Sequence, residues 1–292
     1  MEQKIILITG ATDGIGKVAA MELAKQGHQV ILHGRNPEKT QKIVTEIKEA
    51  TGNQTIDYLI ADLFSLKAIQ AMAVAFNQKY DHLDVLINNA GAVLDNQRFE
   101  TGDGLEGTMA LNVIAPFLLN LLLLPRLQQS RSARIINTSS ASHRTIRSVD
   151  LNDLNVENIP SAQSRYALSK LYVIWLTRHL AMYLRQQGIM NVTVNTSHPG
   201  AVATNFGQDS EKGWLTNLIY KVALPFMASP EKGAATNVFL ATDASVEGVS
   251  GKYFGNQKEE QPSERCYSEE NEQLVWEYCM KICQPYLSEG EV

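Results

Sequence analysis

Short apolar runs alternate with longer stretches of helical period along most of this chain. Lys4-Ile-Ile-Leu-Ile-Thr9 is the first run, and it has no polar break. Side chains on both parities are apolar, so both faces of the strand are buried, as in a parallel sheet. Further strands are predicted near 29–33, 56–60, 84–87, 134–138 and 192–196, with a seventh near 252–254. Helices are predicted over 14–26, 37–50, 65–79, 105–128, 164–187 and 231–241. This alternation predicts an α/β fold, a doubly wound, mostly parallel, seven-stranded sheet with helices on both faces, Rossmann-like.

No repeat, low-complexity stretch or linker divides residues 1–292, so a single domain is expected, with a C-terminal helical extension at about 255–292. Two connections are long for such a fold. Residues 141–163 separate a strand from its helix, and residues 201–229 are dense in Trp214, Leu215, Leu218, Ile219, Tyr220, Leu224, Phe226 and Met227. Long connections at strand C-terminal ends are where doubly wound sheets take ligands, so 201–229 is expected to be a substrate-binding lid.

Composition narrows the function classes. Hydrophobic residues make up 44%, enough for a substantial core. The net charge is −5 with no long single-sign block, which argues against nucleic acid as a partner. Residues 109–124 are strongly apolar but span only 16 residues and contain Asn112, Pro116 and Asn120. That is short and polar for a bilayer span, so a core or subunit-contact helix is expected, which leaves room for a homo-oligomer. Cys266, Cys279 and Cys283 form no Cys-x-x-Cys motif and read as reduced thiols. The first strand begins almost at Met1, so no secretory signal is expected and the cytoplasm is the expected location.

Candidate chemistry begins where the first strand ends. Thr9-Gly-Ala-Thr-Asp-Gly-Ile-Gly16 leads into a helix. Glycines at such a turn let backbone approach a phosphate, and the helix N-terminus offers free N–H groups and a positive dipole. The second strand ends at Gly34-Arg35-Asn36 with no acidic residue between His28 and Pro37. An arginine there suits the 2′-phosphate of NADP, where a carboxylate would suit the ribose of NAD. Tyr166 and Lys170 stand at i and i+4, on one helix face. An ammonium beside a phenol favours phenolate and makes the phenol a usable acid. Taken alone, Tyr-x-x-x-Lys marks only a tyrosine packed on a helix with a lysine passing it.

Together with Asp62-Leu63, Asn88-Asn-Ala-Gly91, Asn112, Ser139-Ser140 and Pro199-Gly200, in that order, these motifs resemble the short-chain dehydrogenase/reductase family from Lys4 to about Phe254. His198-Pro-Gly200, the cysteine-free Gly34-Arg35-Asn36 and Gly251-Lys-Tyr-Phe254 resemble its retinol-dehydrogenase-like branch. The resemblance implies a single dinucleotide-binding catalytic domain: an oxidoreductase transferring a hydride between NADP(H) and a small apolar aldehyde, ketone or alcohol, with NAD(H) the weaker alternative. Tyr166 would be the general acid/base and Lys170 would hold the nicotinamide ribose. Ser140, the second of the serine pair, would bind the substrate oxygen, and Asn112 would hold a water linking Lys170 to solvent. Thr9, Gly10, Asp13, Gly14, Ile15 and Gly16 would line the pyrophosphate and ribose. Arg35 and Asn36 would take the 2′-phosphate, with Lys17 compensating for the acidic Asp13. Asp62 and Leu63 would flank adenine, Asn88, Ala90 and Gly91 would back the cofactor's centre, and Pro199, Gly200, Val202 and Thr204 would hold the carboxamide. His143 and His198 fall near this site, but no histidine spacing suggests a metal. Two other readings stay open, a non-catalytic NADP(H)-binding scaffold or redox sensor, and a protochlorophyllide-reductase-like reductase of carbon–carbon double bonds.

Overall fold

The computed structural model describes residues 2–200 and 229–287. Val202, Thr204, nearly all of the expected lid and the last residues of the C-terminal extension lie outside the described residues. Each predicted strand forms: β1 (Ile5–Ile8), β2 (Gln29–Gly34), β3 (Ile56–Ile60), β4 (Val85–Asn88), β5 (Ala133–Thr138), β6 (Val192–His198) and β7 (Tyr253–Gly255). They pair in parallel in the order β3-β2-β1-β4-β5-β6-β7. The winding reverses between β1 and β4, which opens a crevice beyond their C-terminal ends.

Among the described residues the sheet has eight strands, not the expected seven. β8 (Lys258–Glu260) pairs antiparallel with β7 across Asn256-Gln257, both at positive φ. That is the turn chemistry of a tight hairpin. Three charged residues carry no strand pattern, so this stretch read as the start of the helical extension. Their charges suit an exposed sheet edge.

Strand alternation divides the core in two. Leu7, Leu86, Ile135 and Val194 join one cluster, while Ile6, Ile8, Val30, Leu32, Val85, Ile87 and Ile136 join the other. The second is covered by α1 (Gly14–Lys25), α2 (Pro37–Thr51) and α8 (Pro230–Thr242). The first is covered by α3 (Leu66–Lys79), the 107–128 helices, α7 (Ala162–Gln186) and α9 (Glu269–Cys283). Side-chain caps start most of them: Asp13, Asn36, Ser65, Ser161 and Ser268 each accept a backbone N–H of the first turn. In α9, Glu269, Glu270 and Glu272 lie in that turn, where the helix dipole favours negative charge.

The predicted 105–128 helix is four pieces. α4 (Gly107–Met109) runs into a π-helical turn (Ala110–Ile114), then α5 (Ala115–Leu122) and α6 (Leu124–Gln128). No helix among the described residues is long and apolar enough to cross a membrane.

Candidate active site

The site gathers at the C-terminal ends of β1, β4, β5 and β6. Gly10 and Gly14 hold φ of +64° and +49°, conformations that favour glycine. Gly16 is tight against the turn, since a Cβ there would lie 2.3 Å from the Gly10 carbonyl oxygen and 2.5 Å from Asn89 Nδ2. Asn89, which sequence reasoning passed over, donates from Nδ2 to the carbonyls of Thr9 (3.0 Å) and Gly10 (3.3 Å). His33, also missed, accepts the Gly10 N–H at Nδ1 (3.2 Å) and lies 3.1 Å from the Ala61 carbonyl oxygen through Nε2. Burial pushes its pKa down, which suits this neutral ring.

Several expected cofactor ligands have other employment. Thr9 is buried, and its hydroxyl accepts the N–H groups of Asn89 and Ala90 at 3.0 Å each. Asn88 turns inward, donating to Asn120 (2.7 Å) and Asn137 (2.8 Å). Leu63 packs in the core, while exposed Asp62 accepts the Phe64 N–H. Gly34 is closely walled, because a Cβ there would meet Thr40 Oγ1 at 2.2 Å and Thr12 Cγ2 at 2.6 Å. Asn36 spends its side-chain oxygen on the Lys39 N–H as the α2 cap. Arg35 is exposed at the β2 end. Lys17, expected to compensate for Asp13, pairs instead with Glu46 (2.7 Å), and Lys39 pairs with Asp13 (3.0 Å). A second cation therefore does stand beside the turn, supplied by α2.

Tyr166, Lys170 and Ser140 come together. The Tyr166 hydroxyl is hydrogen-bonded to the Ser140 side chain. Ser139 is buried and donates to the Lys170 carbonyl (2.7 Å), which removes it from competition for that role. Lys170 Nζ donates to the Thr138 carbonyl (2.8 Å) and lies 5.6 Å from the Tyr166 ring centre. Burial dominates both ionisations. It pushes the phenol up to about 12, against the Ser140 hydrogen bond, and lowers the ammonium to about 7. Burial, opposed by the Ser140 hydrogen bond, is thus what moves the phenol here.

Asn112 grips Ala92 twice, accepting its N–H (3.0 Å) and donating to its carbonyl (3.1 Å), and also donates to Ser169 Oγ (3.1 Å). Both of its Nδ2 protons and one lone pair of Oδ1 are thus engaged within the protein. Its backbone carbonyl differs, because Pro116 stands four residues on and has no N–H to give it. Gly91 fits against this pair, since a Cβ there would lie 2.9 Å from Asn112 Oδ1 and 3.1 Å from Lys170 Nζ. The start of α7 is anchored by buried Arg165. It donates to the carbonyls of Ile159 (2.7 Å), Pro160 (2.9 Å) and Asp95 (2.6 Å), and its Nε is 3.1 Å from Glu106 Oε1. That ion pair falls short of hydrogen-bond geometry, since Arg165 Nε has no hydrogen-bond partner. No local pattern marks this arginine; only its burial does. Pro199 and Gly200 follow β6, with the Gly200 N–H donating to His198 Nδ1 (3.2 Å). Among the described residues no group of three His, Cys, Asp or Glu could hold a metal ion.

The short chain dehydrogenase family model matches residues 4–213. Human polyprenol dehydrogenase is 36% identical over 278 residues, covering 94% of this chain and 83% of that protein. Human retinol dehydrogenase 13 is 34% identical over 94% of this chain and 82% of its own. A crystal structure of a short chain dehydrogenase from Shigella flexneri 2a complexed with NADP superposes with a TM-score of 0.69 at 29% identity, covering 88% of this chain and 98% of that one. These relatives favour a dehydrogenase over a scaffold or a double-bond reductase.

Proposed function

Because the chain belongs to the short chain dehydrogenase family, and so is an oxidoreductase working with a nicotinamide cofactor, we propose that it uses NADP(H) and acts on an apolar aldehyde, ketone or alcohol. The observation that carries this reading is the Ser140–Tyr166 hydrogen bond with Lys170 held alongside. Two relatives named for apolar alcohols, polyprenol and retinol, support the substrate class. The three free thiols suit a reducing compartment, and the cytoplasm is the proposed location.

The residues fit a dinucleotide. Positive-φ glycines and the α1 N-terminus meet at the point where the sheet reverses its winding. The N–H groups of Ile15 and Gly16 would take the pyrophosphate, since the Gly14 N–H is held by Asp13 (2.8 Å), and Arg35 with Lys39 would take the 2′-phosphate. Asp62 would flank the adenine. Ala90 and Gly91 would back the middle, Lys170 the nicotinamide ribose, and Pro199-Gly200 the carboxamide. When bound, the nicotinamide supplies or accepts the hydride. Tyr166 then gives its proton to the carbonyl oxygen in reduction and takes it back in oxidation. Ser140 donates a hydrogen bond to that oxygen as it becomes an alkoxide. A charged Lys170 offsets the phenolate left on Tyr166, and the Asn112 carbonyl holds the water that passes protons from Lys170 to solvent. Held near 12, the phenol is a loaded acid at neutral pH.

Tyr166→Phe tests the reading, since it keeps the ring and deletes the hydroxyl. Turnover of decanal with NADPH should fall about 10²–10⁴-fold, the range for losing a general acid. NADPH affinity by calorimetry should change little. Near-native turnover in the variant would refute the assignment.

A further inference from the structure

Behind the site, two histidines are engaged through both ring nitrogens. His143 is fully buried in the 3₁₀ turn Ala141–Thr145, three residues after Ser140. Its Nδ1 lies 2.7 Å from the Ser140 carbonyl oxygen, and its Nε2 lies 3.0 Å from the Ser263 backbone nitrogen. A carbonyl only accepts and a backbone N–H only donates. The ring is therefore neutral, with its proton on Nδ1. Burial lowers its pKa; the Ser140 carbonyl opposes this, Arg144 and His198 add to it, and Glu264 opposes it. His198 carries the opposite tautomer, accepting the Gly200 N–H at Nδ1 (3.2 Å) and donating from Nε2 to Glu260 (3.2 Å). The Tyr253 ring lies between the two histidines, stacked on His198 and edge-on to His143. Arg144 adds a bond to the Gln261 carbonyl (2.7 Å). One short stretch, 260–263, thus holds both the turn that starts at Ser140 and the turn at Pro199-Gly200.

We propose that His143 is a positioning residue for Ser140, coupling it to the segment that follows β8. The proposal rests on Ser140 acting with Tyr166. The link is direct, because the imidazole bonds the Ser140 carbonyl on one side and the Ser263 amide on the other. An apolar side chain could fill the space but would leave both of those groups without this partner.

Imidazole nitrogen NMR on the full chain at pH 7 reads the tautomers with no substrate. His143 should carry its proton on Nδ1 and His198 on Nε2; a proton on His143 Nε2 would overturn the proposal. Three variants then separate the two ends of the link. His143→Asn keeps a donor where Nδ1–H stands, His143→Gln keeps an acceptor toward Ser263, and His143→Leu keeps neither. Amide exchange at Ser263 should stay slow in the glutamine variant and quicken in the leucine variant. With decanal and NADPH, kcat should drop by ~10²-fold in His143→Leu, the scale of a misplaced catalytic group, while KM for NADPH holds. His143→Asn should recover most of that loss and His143→Gln less. A purely structural role would move kcat, KM and thermal stability together in all three. Native kcat in His143→Leu sinks the proposal, provided Ser140→Ala is inactive. If Ser140→Ala is itself active, it is the serine assignment that fails.

Discussion

Lys170 is a buried ammonium whose Nζ donates to one carbonyl, and its pKa falls to about 7 because burial disfavours charge. Its ordinary value is 10.5. Between these two pH values the unfolded chain holds a proton that the folded chain lacks, so this group makes stability rise with pH across that window. Below pH 7 the folded protein carries the full cost of the buried charge. Lys170→Met should therefore abolish activity and raise Tm, more at pH 6 than at pH 9, at roughly 2–4 °C per kcal/mol. The Thr138 carbonyl loses its donor, which offsets part of the gain. Thermal unfolding at both pH values decides it, and an equal gap at each would contradict the assignment. Cofactor choice also belongs to single residues. Arg35→Ala should remove about 1.5–3 kcal/mol of NADPH affinity, the scale of a bond to a charged group, and leave NADH binding unchanged. Calorimetry with both cofactors checks this; equal native affinities would end the NADP(H) reading.

At the scale of elements, the π-turn at Ala110–Ile114 lies at the site, as such turns often do. It aims Asn112 at the Ala92 backbone, and Pro116 withholds a donor from the Asn112 carbonyl. Gly91 lies against the result. Asn112 is bonded on both sides of Ala92, so a methyl at position 91 should displace Lys170 Nζ instead. Gly91→Ala should lower kcat by ~10²-fold with little change in Tm, the signature of a misplaced group in an intact fold. Steady-state kinetics beside a melting curve would show it, and unchanged kcat would mean that the pocket yields without moving the lysine. The run at 109–124 read as one apolar helix because its hydrophobicity is continuous; that signal does not register a change from α to π hydrogen bonding.

For the molecule as a whole, α9 closes the fold. Trp276 packs edge-on to Phe117 of α5 (4.9 Å between centres) and stacks on His179 of α7 (4.4 Å), while His179 also meets Glu272. The C-terminal segment after the last parallel strand thus covers helices that begin in the active site. Trp276→Ala should cost about 3–5 kcal/mol, the range for emptying a large core position. Chemical denaturation would measure it, with Tyr166 chemistry intact in the surviving folded fraction. A loss below 1 kcal/mol would mean that α9 contributes little to the core.

Seven strands and the helices between them were legible in the chain because strand and helix periodicity are local properties of the backbone. Tyr166, Lys170 and the glycine-rich turn were legible because each is a compact motif. The hairpin strand at Lys258–Glu260 was not, since three charged residues become a strand only by pairing with β7. Nor could the chain alone tell which polar residues face a ligand. Thr9 is engaged by Asn89 and Ala90, 80 and 81 residues away, and Asn88 by Asn120 and Asn137, 32 and 49 residues away. The same holds for charge. Lys17 and Lys39 were both basic in the sequence, but packing of α1 on α2 sends one to Glu46 and the other to Asp13. Sequence thus determined which elements form and which chemistry they carry. The tertiary structure decided which side chains remain free to use it, because burial and partners come from residues distant in the chain.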